Sequence, residues 1–499
     1  MRSKFLKYNT VTSIIYQIIV IVCGFILPRA IMSSFGSEVN GLVNSITQFL
    51  SIVALMDMGV GASVSSTLYK PLAEKSWDNV SVIVTAARRF FKKLAVGLLV
   101  YVALLSFAYP FINNSEFDFF YTASLILIIS ANSFSQFYLG IVDNILIGAD
   151  QKAYISYISQ AAAHLTNTIL CVAFIKLGFG IHIVKLITAT IYIIRPLLLR
   201  MYIKKHYPIN RNAQIDEEPL KQKWNAMAQH ISECVLDFTD VMILTVFSTL
   251  ANVSIYSVYN LIAYNMKQFF LTTTNGILSL MGNMWACNEK DKLIVFFDKM
   301  EFVIHFAVIT VFSCTYVLIV PFISVYTDGI NDANYMQPMF AFFICLAHSS
   351  HCLRLPYFNL VKAVGHYKET QNCFIISTVI NIVISIVLVK HYGLVGVAIG
   401  TLIAMLFQTI WLSVYCYKKL LNRSIQLFFK QIFIDVLIYA LIVLSTHWAV
   451  MESISYFSWI IMAIKVGITS VLISAAVSAL FYRGKMLDIL NKIIRKSGI

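Results

Sequence analysis

Charge is scarce in this chain. Only 12% of its 499 residues are Asp, Glu, Lys or Arg, against about a quarter in soluble domains. No stretch is polar enough to coat a water-soluble domain. Cysteine is thin as well: nine in all, with no CxxC pair and none in a loop expected on the outer face. That excludes a disulfide framework and a cysteine metal centre; Cys23, Cys171 and Cys314 read as small packing residues. No GxxxxGK[ST] loop occurs, so ATP is not expected as the direct drive. Outer loops are too short for an enzyme domain, and no acid, base and nucleophile cluster is present. No catalytic residue, metal ligand or cofactor is expected. After the basic start MRSKFLKYNTV no small-residue cleavage site follows the apolar run, which predicts an uncleaved first helix.

What the chain has is apolar length. Hydrophobic residues make up 59% of it, in runs of roughly 20 residues that match the bilayer core. The runs are continuous rather than alternating, so they predict helices and not a barrel. About fourteen such spans follow one another, beginning with 10–34 and 42–68 and including 335–361 as one span. Most of the 38 Lys and Arg fall in loops of one side, such as Lys70, Lys75, Arg88, Arg89, Lys92 and Lys93 after the second span. The other side's loops hold only Lys176 and Lys390, with Glu38, Glu116, Asp118, Asp328, Asp332 and Glu452. The positive-inside rule therefore predicts both termini in the cytoplasm. It also accounts for the net charge of +14 without nucleic acid, as orientation signals beside anionic lipids.

The chain repeats itself. SSFGSEVNGLVNSITQFLSI (33–52) lines up with STLANVSIYSVYNLIAYNMK (248–267) at a shift near 215, and one position further on Asn44 meets Asn260. IGADQKAYISYI (147–158) and IKLGFGIHIVKLITA (175–189) parallel VGHYKETQNCFI (364–375) and VKHYGLVGVAIGTLIA (389–404) at nearly the same shift. Each copy holds six spans, an even number, so the copies are parallel, and two lobes with a cleft between them are expected. The predicted organisation is a first six-helix lobe over 1–203, a cytoplasmic linker over 204–223 and a second lobe over 224–418. Two extra helices and a basic tail follow over 419–499.

Three segments carry a family resemblance: FGSEVNGLVNSITQFLSIVALMDMGVGASV, RLPYFNLVKAVGHYKETQ and YGLVGVAIGTLIA. With them the chain resembles the Wzx-type polysaccharide flippases of the multidrug/oligosaccharidyl-lipid/polysaccharide transporter superfamily, over nearly its whole length. The resemblance implies an all-α polytopic, MATE-like fold of two six-helix lobes plus two C-terminal helices. It also implies a substrate: an undecaprenyl-pyrophosphate-linked oligosaccharide, moved from the inner to the outer leaflet of a bacterial cytoplasmic membrane. The glycan would serve surface polysaccharide such as O-antigen or capsule, with polymerase machinery as a partner.

Ionisable residues inside spans are the candidate site, because each costs about 2.5–3.5 kcal/mol at a helix centre. Glu233, Asp237 and Asp240 share a helix face with Gln229. Facing lipid, the three carboxylates would cost on the order of 8–10 kcal/mol, so the stripe is expected to face protein. Asn260, Tyr264 and Lys267 form a second stripe, and the repeat sets Asn44, Gln48 and Ser51 opposite it. In one reading Lys267, Arg29 and Arg354 attract the pyrophosphate, and the acidic stripe binds a coupling H+ or Na+. In the other these opposite charges neutralise each other as buried pairs. Arg195, before Pro196, is expected to snorkel to headgroups. His348 and His351 are expected to make neutral interhelical hydrogen bonds, and Asp57 to cap or bond a neighbouring helix. Asp143 and Asp435 lie singly in spans and receive no role. A flippase is the function expected; an ion-coupled multidrug exporter of the same fold is the alternative, kept open by the acidic stripe.

Overall fold

The structure is a computed structural model that describes residues 2–52, 60–112, 117–210 and 224–486. Asp57, Glu116, most of the 204–223 linker and the end of the basic tail lie outside the described residues. Every regular element among the described residues is helical. In chain order they are α1 (Arg2–Ser51), α2 (Val60–Glu74), α3 (Trp77–Ile112), α4 (Phe119–Ser135), α5 (Ile141–Ala149), α6 (Ala153–Lys176), α7 (Ile181–His206) and α8 (Trp224–Phe247). Then come α9 (Leu250–Ala286), α10 (Lys290–Tyr326), α11 (Pro338–Leu353), α12 (Leu355–Val364), α13 (Tyr367–Tyr392), α14 (Leu394–Tyr415), α15 (Gln426–Ser445) and α16 (Tyr456–Phe481). Ten helical segments among the described residues are long and apolar enough to cross a membrane, and the protein is a multi-pass membrane protein.

Boundaries differ from the sequence expectation where a single residue bends the chain. The spans expected at 10–34 and 42–68 join directly in α1, which turns at Gly36 with φ of 87°, a conformation glycine adopts at little cost. Residues 335–361 form two helices instead of one, because Pro356 has no N–H to continue the ladder past Arg354. The 36-residue α3 and 37-residue α10 measure about 55 Å at 1.5 Å per residue, well beyond the hydrocarbon. The overhang of α10 bears Lys290, Asp291, Lys292, Asp298 and Lys299.

The chain divides into two compact units, Met1–Ser254 and Ile255–Ile499. In the first, α1 packs on α6 and α4 on α7, and α8 packs on α1. Lipid is as apolar as a leucine side chain, so close backbone approach and polar contacts must hold such helices together. Gly41 supplies the first: a Cβ there would overlap the backbone carbonyl of Leu250. Ser45 supplies the second, accepting from Tyr109 at 2.6 Å and pairing with Thr245 at 2.7 Å. In the second unit α14 packs on α13 and α11, while α15 and α16 pack on α10. Gly396 and Gly400 of α14 fit against Leu388 and Ser385 of α13 with no room for a Cβ.

Candidate functional site

Six of the sequence-derived site residues lie in the first unit: Arg29, Asn44, Gln48, Glu233, Asp237 and Asp240. The second holds Asn260, Tyr264, Lys267 and Arg354.

In the second unit the expected stripe residues Asn260, Tyr264 and Lys267 all lie on α9, and Arg354 lies at the break between α11 and α12. Lys267 is buried with its ammonium 4.5 Å from the centre of the Tyr264 ring, a cation–π distance. Asn260 Oδ1 lies 3.1 Å from His348 Nε2. Arg354 is fully buried. It donates to Gln408 Oε1, and its Nη2 lies 3.2 Å from a ring nitrogen of His351. The rings of Phe358 and Phe374 lie 5.1 and 5.8 Å from its guanidinium carbon. His351 stands in the electrostatic reach of both Lys267 and Arg354. The motif RLP explains the placement: Pro356 opens the ladder, and Arg354 sits at that break, where irregular backbone at membrane depth must be buried in protein.

In the first unit the polar residues of α1 are spent differently. Asn44 donates to its own helix at Asn40 O, 2.8 Å, while Asn40 donates to Ser254 Oγ at 2.8 Å. Arg29 is half-buried. Along the acidic stripe of α8, Asp240 is buried, Glu233 half-buried and Asp237 exposed, so its members do not share one environment.

A cavity of about 330 Å³ opens among α1, α4, α6 and α7, and sequence reasoning missed its most telling residue, Lys185. Asn132, His164, Asn167, Thr188 and Tyr192 line it with that lysine. Tyr192 OH pairs with His164 Nδ1 at 3.0 Å, and Cys171 Sγ lies 3.3 Å from both Asn167 Oδ1 and Thr188 Oγ1. Asn132 Oδ1 is buried without a partner. Among the described residues Lys185 has neither a hydrogen bond nor a carboxylate in ion-pair range. A signal was present in the sequence: Lys185, Thr188 and Tyr192 stand at i, i+3 and i+7, a polar stripe like that of α9.

Two expectations are corrected. Arg195 does not snorkel: it is buried, with Nη2 3.4 Å from Asn144 Oδ1. The π-helical turn at Gln136–Gly140 lies against its neighbour Pro196, which a Cβ on Gly140 would crowd at 3.3 Å. Asp143, given no role, accepts from Arg88 Nη2 at 2.7 Å and is 1% exposed. Arg88, expected in a loop, belongs to α3. No cluster of three or more His, Cys, Asp or Glu suited to a metal occurs among the described residues.

No family model and no curated protein matches the sequence. Solved structures do. The chain is similar to the lipid II flippase MurJ in an inward closed conformation, with a TM-score of 0.68 at 16% identity, over 95% of this chain and 98% of that one. An inward-facing multidrug resistance MATE transporter of the MOP superfamily gives 0.60 at 13% identity, covering 79% and 94%. The eukaryotic MATE transporter AtDTX14 gives 0.52 at 12%, covering 82% and 95%. Such identities establish a fold and not a substrate: this chain has the fold shared by that lipid II flippase and the multidrug resistance MATE transporter.

Proposed function

We propose that this protein is a flippase for an anionic lipid-linked glycan, with an undecaprenyl-pyrophosphate-linked oligosaccharide as substrate. It carries the glycan from the inner to the outer leaflet of a bacterial cytoplasmic membrane, with both termini cytoplasmic and surface-polysaccharide polymerase machinery downstream. Its work is transport without catalysis, by exposing the site alternately to the two faces. Support comes chiefly from Lys185: a cation on a membrane-spanning helix, in a largely apolar cavity that also holds Asn132, His164, Asn167 and Tyr192, with no carboxylate partner among the described residues. An ammonium in such a place is stabilised by an anionic ligand, and a cationic drug would meet repulsion there. Lys267 and Arg354 in the second unit, and Arg29 in the first, add positive charge for a diphosphate. Asn44, Gln48, Asn260 and Tyr264 supply hydrogen bonds and an aromatic face for the sugar. Glu233, Asp237 and Asp240 are candidates for a coupling H+ or Na+. The exposure of Asp237 favours a second reading, an ion-coupled multidrug exporter of the same fold.

Reconstituted vesicles carrying lipid-pyrophosphate-oligosaccharide test the choice. Translocation by the wild type that collapses in Lys185→Ala and Arg354→Ala, with folding intact, is the expected result. Wild-type vesicles that move organic cations and leave the glycan lipid in place would favour the exporter.

A further inference from the structure

Deep in the second unit lies a hydrogen-bonded cluster that plays no part in the site above. On α10, Glu301 and His305 stand one turn apart; Tyr357 comes from α12, and Tyr417 from the π-helical turn Cys416–Leu420 after α14. Gln431 and Asp435 come from α15. All six are buried, His305 completely. Glu301 Oε1 accepts from Tyr357 at 2.5 Å and from Tyr417 at 2.9 Å, and Oε2 lies 2.9 Å from the same Tyr417 hydroxyl. His305 Nδ1 meets Asp435 Oδ2 at 2.6 Å, while Gln431 donates to Asp435 Oδ1 at 3.0 Å. Tyr357 OH also stands 3.5 Å from His305 Nε2. One hydroxyl therefore sits between the carboxylate and the imidazole.

The charges do not balance without an added proton. Tyr357 and Tyr417 donate to Glu301, and Gln431 donates to Asp435, so both have the surroundings of carboxylates. No Lys or Arg lies in ion-pair range of either among the described residues. With His305 neutral the cluster holds two negative charges; with His305 protonated it holds one. Burying a second uncompensated charge is severely unfavourable, so the cluster is built to take up a proton on His305 Nε2 or on Glu301. Tyr357 can pass it between them, giving its own proton to one and receiving from the other.

The cluster has a polar approach. Tyr417 lies beneath the guanidinium of Arg423 at 5.6 Å, and Arg423 and Lys485 both pair with Asp298 at 2.7 Å. These three are partly exposed and lie toward the overhang of α10 that carries Lys290 and Lys292. The remaining groups facing the cluster are Cys416, whose thiol donates to Tyr357 O, and Tyr482 with Lys430 beside its ring. Burial and then the neighbouring carboxylates push the Tyr482 phenol above its ordinary range, so it stays neutral. At its far side Asp435 lines an apolar groove of about 370 Å³ among α11, α14 and α15.

We propose that Glu301, Tyr357, His305 and Asp435 form a proton-binding site, loaded from the charged end of α10, whose occupancy couples a proton to transport. With the proton on His305, the His305–Asp435 ion pair clamps α15 to α10; emptied, two like charges face a neutral imidazole and the clamp weakens. The coupling half of this inference rests on the transport reading above; the binding half does not.

Infrared difference spectra of the purified full-length protein between acidic and alkaline pH test binding directly. The wild type is expected to show a protonated-carboxyl or imidazolium signal that is lost in Glu301→Gln and His305→Gln. Tyr357→Phe, which removes only the bridging hydroxyl, guards against misfolding of those variants and is expected to shift the signal. A spectrum unchanged by folded Glu301→Gln, His305→Gln and Tyr357→Phe would overturn the site. Vesicles then test coupling: wild-type transport should respond to an imposed pH gradient, and transport surviving in His305→Gln should not. A gradient response retained in His305→Gln overturns coupling alone. A wild type that shows the infrared signal and moves no glycan lipid overturns the transport reading and leaves the site standing.

Discussion

A lysine without a counter-ion inside a membrane protein is a stability burden kept for a reason. Lys185 lines its cavity with Asn132, whose buried Oδ1 also has no partner. Replacing Lys185 with Met keeps a long side chain and removes the charge. Thermal unfolding in detergent should then show unchanged or raised stability, by at most the ~2.5–3.5 kcal/mol that a charge costs at a helix centre. Glycan-lipid translocation by the same variant should fall. A loss of stability would mean that Lys185 is a structural residue. Arg354 differs, since it is fully buried and its hydrogen bonds to Gln408 and His351 hold a broken helix. The two cations are separable by experiment for that reason.

Between helices, polar pairs do what apolar burial cannot do in lipid. Arg88 of α3 and Asp143 of α5 meet at 2.7 Å, with Asp143 almost wholly buried and its Oδ2 without a partner. Arg88→Ala should cost about 3–5 kcal/mol, because it strands a buried carboxylate. The double variant Arg88→Ala/Asp143→Ala should recover most of that loss. Urea or thermal denaturation of the detergent-solubilised protein checks both, and equal instability of single and double variants would contradict it. Sequence periodicity could mark such groups but not their partners. Asp143 and Asp435 stood alone in their spans, and a helix pattern reports the face on which a residue sits, never what lies across from it. The helix break at RLP was legible only as a proline near an arginine; Arg354's partner Gln408 is 54 positions away.

For the molecule as a whole, the basic loops predict that the turn between α9 and α10 faces the cytoplasm. Cys287 lies there and is the exposed cysteine among the described ones. A membrane-impermeant maleimide should label it in inverted vesicles and not in right-side-out cells, with Cys287→Ser as the blank. Labelling from outside would reverse the topology and with it the direction of flipping. At this scale the sequence was at its most informative. Hydropathy runs are local, so the all-helical membrane fold and its many spans could be read directly. Glycine turns at Gly178, Gly365 and Gly393 could be read too, since each adopts a positive φ.

The amino-acid sequence by itself determined that this chain lives in lipid, that it does so as helices, and that a few charges stay at membrane depth. Each follows from composition and local periodicity, which need no knowledge of neighbours. Tertiary structure alone decided which charges meet: Arg88 with Asp143, His305 with Asp435 across 130 positions, and Lys185 with no carboxylate among the described residues. Electrostatic energy depends on distance through space and on burial, and neither is written in the order of residues along a chain.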